Sequence, residues 1–139
     1  MTFAFRDNRP RGLRNNNPGN LKELPGDRTQ WKGERATDDD PVFEEFTDPR
    51  FGIRAIGKVL DSYARRGIVT LSDIIHTYAP GSENDTQAYI EHVASNTGFN
   101  PNAPISRAHY PDLIAAIILQ ENGQQPFPRE MVVESLAIA

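Results

Sequence analysis

The chain has 139 residues, enough for one compact domain and too few for two ordinary ones. Hydrophobic residues make up 37%, low for a globular protein, and the net charge of -4 argues against nucleic acid as the main partner. Cysteine is absent, which excludes disulfides and thiolate chemistry. No apolar run approaches transmembrane length, and the Met1–Arg6 start lacks the apolar region of a signal peptide. These features predict synthesis in a bacterial cytoplasm, without a membrane span and without its own export signal.

Residues 1–10 form an N-terminal arm. Through residue 47 the chain is punctuated by Pro10, Pro18, Pro25 and Pro41, by Asn15-Asn16-Asn17 and by Asp38-Asp39-Asp40, a pattern of loops and short strands. Gln30-Trp31-Lys32 and Val42–Phe46 are the strand candidates, pairing as a hairpin across the acidic turn. Asp48 then caps a helix with Pro49 at its first position and Ile53, Ile56, Leu60 and Tyr63 at helical spacing, stopping at Gly67. Thr70-Leu71-Ser72-Asp73 has a capping-box pattern and opens a short helix through Tyr78, ended by Pro80. Asn84 or Asp85 caps the next helix, with Tyr89, Ile90 and Val93 inward and Gly98 closing it. A loop over Asn100–Pro104 leads to an apolar helix from Pro111 to Glu121, and Pro128 precedes a short terminal helix carrying Met131–Val133 and Leu136.

The helix from Pro111 has the run Leu113–Leu119 with no polar face, which predicts a central, nearly fully buried element. It ends in Gln120-Glu121-Asn122-Gly123, one acid at the end of an otherwise apolar helix. A carboxyl bordering the core is partly desolvated, which favours its neutral form, and a proton-carrying carboxyl is what general-acid cleavage of a glycoside requires. The competing reading is a solvated helix-terminal Glu followed by Gly123 as the residue after the cap. Against it, a negative charge in a last turn is disfavoured by the helix dipole.

Asn17-Pro18-Gly19-Asn20-Leu21-Lys22, Trp31-Lys32-Gly33, Phe43-Glu44-Glu45-Phe46 and Phe51–Ala55 form an ordered series over residues 11–65. It resembles the glucosaminidase branch of the lysozyme-like superfamily, and Arg11–Asn20 also looks like small phage-encoded virion proteins associated with peptidoglycan hydrolysis. In that superfamily the catalytic Glu ends a buried helix preceding the asparagine and tryptophan segments. Here only ten residues precede Arg11, whereas Ile114–Gly123 looks like the catalytic helix ending of lytic transglycosylases. The order therefore reads as circularly permuted, a rearrangement that is cheap when the termini lie close together.

The resemblance implies peptidoglycan cleavage as a muramidase, glucosaminidase or lytic transglycosylase, with Glu121 as the general acid. A second carboxylate, where a glycosidase uses one, falls among Glu34, Asp38, Asp39 and Asp40, with a solvated turn as the plainer reading of the three aspartates. Glu83 is the main rival acid, although its neighbours read more simply as a helix cap. Alternation turns one of Glu44 and Glu45 to the cleft and the other to solvent, which makes Glu45 a further backup, and Glu34, in the segment where the resemblance implies a second acid, is another. The substrate-binding candidates are Asn17, Asn20, Trp31, Phe43, Tyr78 and Tyr89. Against these stand a turn needing unusual backbone angles at the asparagines, a core anchor at Trp31, and core tyrosines with wet hydroxyls. The Asn15–Asn20 segment, Trp31 and Phe43 are expected to line one groove with Glu121.

His76, His92 and His109 are scattered and no metal-binding or serine-nucleophile motif occurs, so neither metal nor cofactor is expected. The expectation is thus a single mostly α (α+β), lysozyme-like domain over 1–139 with a small N-terminal β-hairpin. It would be a phage endolysin or virion-associated lysin, monomeric, acting on peptidoglycan in the periplasm or cell wall or carried in a virion. The alternatives are a non-catalytic virion structural or cell-wall-binding protein, and a peptidoglycan amidase or peptidase.

Overall fold

The computed structural model describes residues 7–24, 26 and 29–139, with positions 83 and 84 described in their backbone alone. Residues 1–6 of the expected arm therefore lie outside the described residues. Six α-helices follow in order: α1 (Arg11–Arg14), α2 (Pro49–Arg65), α3 (Leu71–Tyr78), α4 (Glu83–Thr97), α5 (Tyr110–Asn122) and α6 (Arg129–Leu136), with a 3-10 turn at Arg107–His109.

The helix boundaries follow from local chemistry. Asp48 caps α2 by accepting from the Arg50 amide at 2.9 Å, with Pro49 in the first turn. The 3- and 4-residue spacing of Ile53, Ile56, Leu60 and Tyr63 buries all four on one face. Thr70 caps α3 through the Asp73 amide at 3.1 Å. For α4 the cap is Ser82, whose hydroxyl accepts from the Asp85 amide, and not Asn84 or Asp85. The helix starts earlier than expected because Ser82 stands at the right distance for that amide, which places positions 84 and 85 inside the first turn. Left-handed Gly98 and Gly123 end α4 and α5.

Helix α5 packs against α1, α2, α4 and α6. Leu113, Ile114, Ala116, Ile117 and Ile118 are buried, while Leu119 remains 38% exposed, so the run is buried on all sides but one. At about 1.5–3 kcal/mol for each large aliphatic side chain, this helix is the main apolar contribution to the core.

The N-terminal β-hairpin is absent, and the mostly helical architecture has no sheet among the described residues. Lys22 and Phe43, and Glu34 and Phe46, form isolated antiparallel bridges, so residues 30–32 do not pair with 42–46 as a ladder. Side chains take the place of a ladder. Asp40 accepts from the amides of Val42 and Phe43 at 2.9 and 3.0 Å, and Glu45 accepts from those of Asp39 and Asp40 at 2.7 and 3.1 Å. The remaining backbone groups divide between two partners, Val42 and Glu44 bonding to Glu23 and Leu21, and Glu45 and Thr47 to Arg35 and Gly33, so neither pairing grows into a ladder. This loop layer sits on α2 at Gly52, where a Cβ would stand 2.0 Å from the Asn16 carbonyl oxygen.

Candidate active site

The last turn of α5 meets the Asn17–Leu21 loop. Asn17 is fully buried; its amide nitrogen donates to the carbonyls of Leu21 and Glu44 at 2.9 and 3.0 Å, and its oxygen accepts from the Leu21 amide at 3.0 Å. The expected substrate ligand is therefore an internal brace, spent on the backbone. Its bracing presents the next loop residues to α5. Asn122 Nδ2 donates to Pro18 at 2.7 Å and to Ile118 at 3.0 Å. Asn20, at φ 51, turns its amide outward from the loop, and its Nδ2 donates to Glu121 Oε1 at 3.1 Å across a separation of 101 positions.

Two phenols complete the surroundings of Glu121. The Tyr78 hydroxyl, at the end of α3, donates to the Gly19 carbonyl. Tyr89 of α4 is buried, with its hydroxyl turned towards the Glu121 carboxyl. Burial first, and then the charge of Glu121, push both phenols above the ordinary tyrosine range. The Asn20 and Asn122 side-chain oxygens are buried without a partner among the described residues. Both converge on α1, where a Cβ on Gly12 would lie 2.6 Å from Asn20 Oδ1 and 2.7 Å from Asn122 Oδ1. Glu121 thus ends an apolar helix beside one donor amide and two buried phenols. The junction therefore gathers one carboxyl, one donor amide and two phenols, groups able to exchange protons and hydrogen bonds with a bound molecule.

The other sequence candidates lie elsewhere. No described hydrogen bond or ring contact joins Trp31 or Phe43 to Glu121. The Trp31 amide donates to Glu34 Oε1 at 3.0 Å, and the Phe43 ring carries the Arg11 guanidinium 4.6 Å from its centroid. The Glu83 side chain lies outside the described residues. Glu45 is buried, paired with Arg35 at 3.2 Å and bound to the Asp39 and Asp40 amides, so its carboxylate is taken up by the loop and closed to solvent.

Glu44 borders an acidic cavity of about 100 Å³ with Glu23, Glu34, Arg35, Asp38 and Glu45. Burial, followed by the charges of Glu34 and Glu23, pushes its carboxyl up to about 7. Asp40 is the opposite case: Arg11, then the Phe43 and Val42 amides and Asn15, hold its carboxyl well below the usual carboxylate range. Sequence reasoning also left out Gly12 and Asn122. The adjacency of Asn122 to Glu121 was a signal for it; nothing local pointed to Gly12.

Among the described residues, no helix is long and apolar enough to cross a membrane. No family model matches the chain. It is 47% identical over 118 residues to Protein P5 of Pseudoalteromonas phage PM2, a match covering 84% of this chain and 74% of the relative. At that identity and coverage, the chain belongs to the family of the phage's Protein P5.

Proposed function

We propose that the protein cleaves the glycan strand of bacterial peptidoglycan, with Glu121 as general acid, as a lysozyme-like enzyme in permuted order. The observation that carries this reading is the Asn20–Glu121 hydrogen bond at 3.1 Å. It joins the loop bearing the glucosaminidase-like series to the end of the helix bearing the transglycosylase-like one. In the reaction, Glu121 gives its proton to the glycosidic oxygen as the bond from that oxygen to the anomeric carbon breaks. The leaving sugar departs as an alcohol, and an oxocarbenium-like centre is taken up by water or by the substrate's own hydroxyl. Asn20 orients the carboxyl and Tyr89 offers a buried hydroxyl beside it.

The phage relative fits a role as a lysin, either at host lysis or carried in the virion to the periplasm and cell wall. The same source also fits a second reading, a virion component that binds the wall without cutting it. Mass analysis of purified sacculi incubated with the protein tests the choice. Soluble disaccharide-peptides ending in reducing or 1,6-anhydro sugars are the expected products. Intact glycan strands with bound protein would favour the virion component, and released peptides on intact strands would mean an amidase or peptidase.

A further inference from the structure

A groove lies on the same two helices that carry Tyr89 and Glu121. It runs between α4 and α5 as a cavity of about 320 Å³ lined by His92, Ser95, Asn96, Ala116, Leu119 and Gln120. That volume is at the lower end of the roughly 300–1,000 Å³ typical of small-molecule sites. His92 follows Tyr89 by about one helical turn on α4, so the α4 wall of the groove starts one turn beyond the phenol that neighbours Glu121. The two walls are bridged by His92 Nδ1 and Gln120 Oε1 at 3.1 Å.

The lining chemistry narrows the occupant. It holds no carboxylate, lysine or arginine, so neither a metal ion nor an anion such as phosphate finds a counter-charge there. The side-chain amides of Asn96 and Gln120 can each donate and accept, and Ser95 adds a hydroxyl. Ala116 and Leu119 form an apolar wall, and Leu119 is the one large residue of the α5 run left exposed, at 38%. Uncharged donors and acceptors facing an apolar strip suit a ring with one C–H face and a rim of hydroxyl and acetamido groups.

We propose that the α4/α5 groove binds an N-acetylglucosamine unit of the glycan strand, as a subsite leading to Glu121. This rests on the glycan-cleaving reading, and the test separates the two. The full chain carrying Glu121→Gln, which lacks the proposed proton donor, is titrated with the tetrasaccharide of N-acetylglucosamine and followed by amide chemical shifts. The expected result is a set of shifts centred on His92, Asn96, Leu119 and Gln120. Adding His92→Ala or Asn96→Ala, both at exposed positions, should weaken binding about tenfold, equivalent to roughly one good hydrogen bond. In the otherwise native chain, the same substitutions should raise KM on sacculi while leaving kcat nearly unchanged. Shifts centred only on Asn20 and the α5 terminus, or unchanged affinity in both variants, would overturn the subsite and leave the enzymatic reading intact. Groove binding that both variants lose, in a protein that does not cut sacculi, would support the sugar groove while removing the enzymatic reading.

Discussion

Replacing Gly12 with alanine tests the junction that holds Asn20 against α5. The added methyl would stand 2.6 Å from Asn20 Oδ1, 2.7 Å from Asn122 Oδ1 and 2.9 Å from the Asn17 carbonyl oxygen, all well inside ordinary contact. Neither amide can swing away freely. Asn122 is tied to Pro18 and Ile118, Asn20 is tied to Glu121, and the Asn17 carbonyl accepts from the Asn20 amide at 3.0 Å. Overpacking of this kind costs about 1–3 kcal/mol, and each hydrogen bond broken to relieve it costs about 0.5–1.5 kcal/mol more. Reduced freedom of the unfolded chain returns about 0.4–1 kcal/mol. The net expectation is a loss of about 2–3 kcal/mol, or a melting temperature lower by roughly 5–12 °C for a domain of this size. Gly81→Ala is the control, because nothing lies within 4 Å of its Cβ position. Thermal denaturation of both variants, followed by circular dichroism, reads out the difference. A Gly12→Ala protein melting within about 1 °C of the parent would refute the close packing of α1 under the two asparagines.

Asp40→Asn removes the charge that gathers Arg11, Asn15 and the Val42 and Phe43 amides. The loss should be about 1–2 kcal/mol, moderated by solvent because Arg11 is 42% exposed. Its carboxyl is lowered in the folded protein, so the stabilisation is present above the ordinary carboxylate range and fades as pH falls through the folded value; denaturant titrations of parent and variant should converge in acid. Glu44 has the opposite sign. Its folded value of about 7 lies above the ordinary 4.5, so the folded form holds the proton more tightly and stability declines as pH rises between the two. Glu44→Gln should therefore melt roughly 2–4 °C above the parent at pH 8 and level with it below pH ~4.5; a gap that does not change with pH would contradict the crowding of Glu44 by Glu34 and Glu23.

The helical part was legible because caps and spacing are local. Asp48 with Pro49, Thr70, Gly98 and Gly123 each announce a boundary within a few residues of themselves. The start of α4 was displaced because three neighbouring polar residues could all cap, and only the amide geometry selects Ser82. The hairpin failed for a different reason. Asp40 and Glu45 look like a turn and a strand residue, yet both fold back onto nearby amides, and the backbone of residues 42–47 divides its pairing between residues 21–23 and 33–35. At the site, the resemblance brought Asn20 and Glu121 together across 101 positions, which no local pattern could do. It did not foresee that Asn17 would be consumed internally, nor that burial and the charges of Glu34 and Glu23 would raise the Glu44 carboxyl. Both outcomes depend on which face of an irregular loop meets α2, and irregular loops carry no period to read.

The central claim, that Glu121 is the proton donor, is tested most directly by Glu121→Gln assayed on purified sacculi with the melting temperature measured on the same sample. The glutamine keeps the shape and can still meet Asn20 through its side-chain oxygen, while the ionisable proton is gone. Release of soluble glycan fragments should fall by at least the roughly 10²–10⁴-fold that general acid catalysis contributes, at an unchanged melting temperature. A folded Glu121→Gln protein that solubilises sacculi at the parent's rate would contradict the account.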